Sequence, residues 1–234
     1  MNDIIRHLGI IMDGNRRWAK ANGMIAYQGH NRGAEVFGDT CDWCLESGIE
    51  YLTVYAFSTE NWKRSSDEIS HIFKLLAEYF AKEKSTCLKK DIRITVIGER
   101  GRFDRKTLSI IEDIESATMN CARLKVQIAL SYGGRDEIIR AVKRIIADAG
   151  ENKLDAGQLS EEIFATYLDT AGIPDVDLVI RTGGAENRRL SNFLPWQTVY
   201  SELYFSDLLW PDFSSGEFEN AINYYNSVKR RLGK

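Results

Sequence analysis

Leu8-Gly9-Ile10-Ile11-Met12 is a short apolar run that ends abruptly at Asp13-Gly14-Asn15-Arg16-Arg17-Trp18. A run this brief and rich in isoleucine reads as a strand buried on both faces, and the polar residues after it read as a turn that opens a helix. The same pattern returns at Tyr51 to Phe57, Ile92 to Ile97, Val126 to Tyr132 and Val176 to Ile180. Stretches of helical periodicity lie between and beyond these runs: Gly33 to Glu46, Asp67 to Lys89, Arg105 to Cys121, Asp136 to Asp148, Glu161 to Asp169 and Glu217 to Arg231. Strand alternating with helix predicts an α/β fold with a mostly parallel central sheet flanked by helices on both faces. The most linker-like stretch, Gly150 to Gln158, is short, so residues 1–234 are expected to form a single domain.

Composition narrows the function. A chain that is 44% hydrophobic with three prolines is not disordered. Its 31 basic against 34 acidic residues lack the basic excess of a nucleic-acid binder. No apolar run approaches the ~18 residues of a membrane-spanning helix. The segment Met1 to His7 has no secretory apolar core, so a cytoplasmic location is expected. Cys41 and Cys44 form a CxxC, but within a helical stretch and without a second pair or paired histidines, so they read as packing residues.

Ligands of such a sheet gather beyond the carboxyl ends of its strands. Three of the apolar runs end in dense polar clusters: Asp13 to Trp18, Ser58-Thr59-Glu60-Asn61-Trp62-Lys63-Arg64, and Arg181-Thr182-Gly183-Gly184. Backbone N–H groups at a helix start, reinforced by Arg16 and Arg17, suit a phosphate. Taken alone, that segment equally describes a capped helix with two solvated arginines. The second cluster adds the Ser58 hydroxyl, the Asn61 amide and the Arg64 cation, with Trp62 large enough to floor a pocket. Arg181 adds another guanidinium, and Arg188, Arg189, Ser191 and Glu202 follow. Carboxylates at Asp13 and Glu202 among arginines are what a Mg²⁺–diphosphate needs: hard oxygens for the ion and forked donors for the phosphates.

Three diphosphate designs are excluded. There is no GxxxxGK[ST] loop and no GxGxxG after the first run. No two aspartates are adjacent, so the Asp-Asp-x-x-Asp motif of the all-helical trans-prenyltransferases is missing too. What remains is carried by longer segments: His7 to Ala19, Tyr55 to Arg64, Ser131-Tyr132-Gly133-Gly134-Arg135, Ser191 to Gln197 and Leu209-Trp210-Pro211-Asp212-Phe213. In this order, across the whole chain, they resemble the cis-prenyltransferase family, in particular its bacterial undecaprenyl diphosphate synthases.

The resemblance implies a homodimeric Mg²⁺ enzyme that condenses isopentenyl diphosphate onto an allylic diphosphate such as farnesyl diphosphate, forming cis double bonds. Its product would grow in a hydrophobic tunnel, and transient peripheral contact with the membrane is expected because a product tens of carbons long is barely soluble in water. By position, Asp13 would be the catalytic aspartate and a Mg²⁺ ligand, with Glu202 completing the metal site. Gly14, Asn15, Arg16 and Arg17 would hold the allylic diphosphate, with Trp18 and His30 at its edge. Asn61 would assist proton removal, and Ser58, Thr59, Glu60, Trp62 and Arg64 would shape that region. Arg181, Arg189, Leu190 and Ser191 would bind isopentenyl diphosphate, and Arg231-Leu232-Gly233 would reach the partner subunit's site.

Two positions depart from the pattern. Ala26 stands where the family commonly has an arginine, leaving Arg16 or Arg32 to compensate. The loop through Ala185 to Arg188 is two residues longer than usual, so Arg189 is matched by counting back from Ser191. Ala34 and Ala56 would keep a tunnel open and Leu124 would floor it, which favours an undecaprenyl product. Phe37 either packs in the core or narrows the tunnel and shortens the product.

Overall fold

In the computed structural model, which describes residues 4–184 and 187–228, all five predicted runs form strands and a sixth joins them. They are β1 (His7–Ile11), β2 (Tyr51–Ser58), β3 (Ile92–Ile97), β4 (Leu124–Tyr132), β5 (Leu178–Arg181) and β6 (Glu202–Phe205). The sheet runs β3-β4-β2-β1-β5-β6 with every pairing parallel. The sixth strand is four half-buried residues at the edge of the sheet, too short to show a period in the sequence.

The helices are α1 (Asn15–Ala21), α2 (Ala26–Glu46), α3 (Ser66–Lys90), α4 (Arg105–Thr118), α5 (Gly134–Gly150), α6 (Glu161–Ala165) and α7 (Ser215–Ser227). Three of them, α4, α6 and α7, end earlier than periodicity suggests, each where a hydroxyl turns back on the backbone; in α4 Thr118 Oγ1 donates to the Ile114 carbonyl (2.8 Å). Thr166 Oγ1 donates to the Ile163 carbonyl (2.7 Å) after α6, and Ser227 Oγ donates to the Tyr224 carbonyl (2.7 Å) at the end of α7. In contrast, α2 begins before Gly33 because its glycines are used in packing. A Cβ on Gly29 would lie 2.1 Å from the Asn15 carbonyl oxygen, so only glycine lets α1 cross this close.

Strand order reverses around β1: the chain passes to β2, on to β3 at the edge and back to β4 between them, then crosses to β5 and β6 on the other side. The ends of β1 and β5 therefore flank a topological switch point, the usual place for a ligand. The main core lies between the sheet and α2, α3, α4 and α7, and a smaller cluster around Val179, Phe193 and Tyr132 packs the other face. All four cysteines are buried and free. Burial pushes the Cys41 and Cys44 thiols up, which makes them poor ligands and nucleophiles. Among the described residues, no helix is long and apolar enough to cross a membrane.

Candidate active site

Ile11 of β1 sits in register with Arg181 of β5, so the two strands release their loops side by side. Thr182, 1% exposed, ties the loops together. Its Oγ1 accepts from the Asp13 N–H (3.0 Å) and donates to the Asp13 carbonyl (2.8 Å). The Asp13 carboxylate is then gripped from both sides: Oδ1 accepts from Arg17 Nη2 (3.1 Å) and Oδ2 from Arg181 Nη2 (3.0 Å). Gly183 has φ +118°, and a Cβ there would lie 2.9 Å from both the Asp13 carboxyl and the Arg17 guanidinium. Arg181 is 5% exposed and also donates from Nη1 to Ser191 Oγ (2.6 Å) and to the Arg189 carbonyl.

The second cluster closes the site from the end of β2. Ser58 donates its backbone N–H to Asn61 Oδ1 (3.0 Å), folding the turn Thr59–Lys63 back on itself. Asn192 Nδ2 donates to Glu60 Oε1 (3.2 Å), linking this turn to the loop that carries Ser191. Burial works to raise the Glu60 carboxyl, but hydrogen bonds from its own backbone and from Ser58, Asn192 and Thr59 outweigh it and hold it below its ordinary range. Ser65 caps α3 through the Glu68 N–H (3.3 Å). Glu68 Oε1 thereby comes within 3.0 Å of Arg64 Nη1, 3.7 Å of Arg16 Nε and 4.0 Å of His30 Nε2. Burial, then the nearby Arg64, lowers His30 to about 4, so it is neutral at physiological pH.

These groups line one end of a cavity of about 640 Å³. Asp13, Asn15, His30, Ser58, Glu60, Asn61, Arg64, Arg181, Ser191 and Asn192 form its polar end. Ala34, Phe37, Val54, Ala56, Leu75, Leu76 and Tyr79 form the apolar remainder. Asn15 Oδ1, His30 Nε2 and Arg181 Nε are buried without a hydrogen-bond partner in the structure. Three such orphans on one cavity wall mark a place prepared for a polar ligand.

Several predicted residues lie elsewhere. Trp62 does not floor this cavity. Its indole donates to Ser131 Oγ (2.9 Å), its ring stacks on Phe73 (5.7 Å), and it walls a separate hollow with Phe103. Trp18 turns outward to Asp212 Oδ1 (2.7 Å), Thr59 bonds Glu60 (3.2 Å), and Leu190 packs on the smaller apolar cluster. Arg188 and Arg189 are both exposed, and only the Arg189 carbonyl enters the site. Arg32 pairs with Glu35 (2.7 Å), whereas Arg16 stands with Arg64 and His30. Leu124, at the start of β4, does not line the cavity. Arg231 and Gly233 lie outside the described residues.

Glu202 requires a correction within one chain. It opens β6 opposite Leu178, whereas Asp13 lies beyond the strand end at Arg181. The two carboxylates are at opposite ends of the parallel strands, about 10 Å apart along the strands from Leu178 to Arg181 alone. They do not form one metal site within a protomer. Three residues went unanticipated. Thr182 and Asn192 act through contacts made only in three dimensions, and Glu68 announces itself as the end of a Ser-x-x-Glu cap, which reads as a helix start rather than a site.

Residues 11–233 match the family model described as "Putative undecaprenyl diphosphate synthase". An isoprenyl transferase of Aquifex aeolicus is 42% identical over 228 residues, covering 97% of this chain and 95% of the relative. The crystal structure of a probable undecaprenyl diphosphate synthase from Campylobacter jejuni matches with TM-score 0.82 at 39% identity, covering 100% of both chains. That of lavandulyl diphosphate synthase from Lavandula x intermedia, in complex with dimethylallyl diphosphate, matches with TM-score 0.94 at 29% identity, covering 99% of both.

Proposed function

Because the chain belongs to the prenyltransferase family of undecaprenyl diphosphate synthases, we propose that it condenses isopentenyl diphosphate onto an allylic diphosphate, farnesyl diphosphate being the expected primer, to make a (2Z)-polyprenyl diphosphate. The single observation that carries this reading is the two-ended cavity, with Asp13, Arg64 and Arg181 at one end and an apolar wall at the other. A diphosphate headgroup with a hydrocarbon tail has the same division. The Lavandula protein of the same fold holds an allylic diphosphate, which supports the assignment.

In each addition the allylic carbon–oxygen bond breaks, a carbon–carbon bond forms to isopentenyl diphosphate, and a proton leaves the acceptor. Charge develops on the departing diphosphate, and preorganised donors stabilise it most where water is excluded. Arg17, Arg64, Arg16 and the orphaned Arg181 Nε are the donors at hand. Asn61 already accepts at Oδ1 from Ser58, so its amide NH₂ is what it offers a substrate. An amide does not titrate near neutral pH, so Asn61 orients the acceptor and the departing diphosphate or a water takes the proton.

The donor set fits Mg²⁺ in a restricted way. No group of three or more candidate ligands exists among the described residues. Asp13 supplies one carboxylate, which suits an ion that takes its other oxygens from water and substrate phosphates. When bound, Mg²⁺ would supply charge neutralisation on the diphosphate.

Exposed apolar residues spaced along one side of α5, Ile139, Val142 and Ile146, together with Tyr200 just before β6, support a homodimer. Peripheral membrane contact follows from the water-insolubility of a long polyprenyl product. The names of the relatives support an undecaprenyl product, while the bulky rings of Phe37 and Tyr79, which meet on the apolar wall with centroids 5.5 Å apart, favour a shorter one. Purified protein incubated with farnesyl diphosphate, labelled isopentenyl diphosphate and Mg²⁺ should form a ladder that EDTA abolishes. No incorporation with any allylic primer overturns the catalytic reading.

A further inference from the structure

The first turn of α5 leaves backbone N–H groups without helical partners, as every helix start does. Here Asn192 takes two of them. Its carbonyl accepts from the Gly134 N–H (2.8 Å) and its side-chain Oδ1 accepts from the Arg135 N–H (2.9 Å). Only the oxygen of an amide can accept from a backbone N–H, so Nδ2 is turned the other way, where it donates to Glu60 Oε1 (3.2 Å). The backbone is committed as well. Asn192 has φ +67° and Ser191 before it φ +49°, a region that asparagine tolerates better than most side chains. A Cβ on Gly133 would lie 2.6 Å from Thr59 Oγ1 and 2.9 Å from Asn192 Nδ2, so the two loops meet against bare backbone.

We infer that Asn192 is a positioning residue for the acceptor side of the site: anchored on the start of α5, it holds the Thr59–Lys63 turn at a fixed distance from the loop that carries Ser191. This rests on the prenyl-condensation reading. On one side of the bridge Glu60 is followed by Asn61, whose Oδ1 accepts from the Ser58 N–H (3.0 Å), so the turn is tied to itself as one piece. On the other side Ser191 Oγ accepts from Arg181 Nη1 (2.6 Å), and Arg181 Nη2 reaches Asp13 Oδ2 (3.0 Å). Glu60, Asn61, Ser191 and Asn192 all line the polar end of the cavity. The bond from Asn192 ends on a carboxylate, which makes it stronger than a bond between neutral groups. Condensation requires the acceptor and the allylic carbon to be held in register, and a misplacement of about 1 Å can cost about 10²-fold in rate.

The test is a double-mutant cycle read in steady-state kinetics with farnesyl diphosphate, labelled isopentenyl diphosphate and Mg²⁺. Glycine suits the backbone at 192 and removes the side chain, so Asn192→Gly should raise KM for isopentenyl diphosphate about tenfold and lower kcat. KM for farnesyl diphosphate should be unchanged. Asn192→Asp keeps the shape and the bond from Arg135 but sets a carboxylate against Glu60, and should lose at least as much. In a Glu60→Gln background the same change should cost nothing further, because the amide introduced at 60 then donates to the carboxylate introduced at 192. Losses that add across the cycle overturn the inference, since the new charge then acts on the substrate and not on Glu60. Variants that leave KM for isopentenyl diphosphate unchanged, or raise both KM values together, overturn it too. If Glu60→Gln is itself inactive, the split between the two KM values decides. If Asn192→Gly does not fold, Asn192→Asp supplies that split. A wild type that incorporates nothing overturns the catalytic reading and this inference together.

Discussion

Asp13 has both carboxylate oxygens engaged by guanidinium groups, one from a half-exposed Arg17 and one from a buried Arg181. Asp13→Asn keeps the shape but removes the charge, and kcat should fall about 10²- to 10³-fold with KM for the acceptor far less affected. Arg181→Lys should be nearly as damaging, since one ammonium cannot replace a fork that spans Asp13 and Ser191. The two arginines that could stand in for Ala26 part company here. Arg16→Ala should raise KM for the allylic diphosphate about tenfold, the effect of losing one charge-assisted contact. Arg32→Ala should leave steady-state kinetics unchanged, because Arg32 is occupied with Glu35 on the surface.

At the scale of elements, the crossing of α1 and α2 is set by Gly29, and Gly29→Ala should force the Asn15 carbonyl away. Overpacking of this kind costs about 1–3 kcal/mol, readable by urea denaturation. Because the shift displaces Asn15, KM for the allylic substrate should rise as well. Elements with a strong local signal are legible in the amino-acid sequence alone: β1 and the polar turn after it, and α3 to within one residue at either end. Elements without one are not. β6 is four edge residues with no period, and α6 and α7 stop where hydroxyls compete for carbonyls. The site divides in the same way. Asp13, Ser58, Asn61, Arg64 and Arg181 can be read because each follows or ends a strand or lies in the loop just beyond it. Thr182, Asn192 and Glu68 owe their roles to neighbours more than a hundred positions away or on another helix. Trp62 departs from expectation because a large ring at a strand end can turn either way, and here the aromatic cluster of Phe57, Phe73 and Phe103 takes it.

Over the whole molecule, His7 and His30 are both held at about 4, His7 by burial opposed by the Pro174 carbonyl, and His30 by burial and Arg64. Both titrate near 6.5 when unfolded. The unfolded chain therefore binds more protons between these values, and stability falls as pH drops through that window. The slope is up to about 1.4 kcal/mol per pH unit for each histidine. Urea midpoints at pH 7 and pH 5 should show the loss, and His30→Gln should reduce it. The apolar face of α5 and Tyr200 predict that Ile146→Glu shifts sedimentation toward the monomer. The sheet order has one more consequence, which concerns how the chain comes to be made. β1 lies in the middle of the sheet, yet its partner β5 is among the last strands, and Asp13 meets Arg181 across 168 residues. During synthesis the first strand to leave the ribosome stays open along one edge until nearly the whole chain has followed. The corner where Asp13 meets Arg181 is thus among the last contacts to close, and a product truncated before Leu178 exposes an isoleucine-rich strand edge, which should aggregate instead of giving a weakly active fragment.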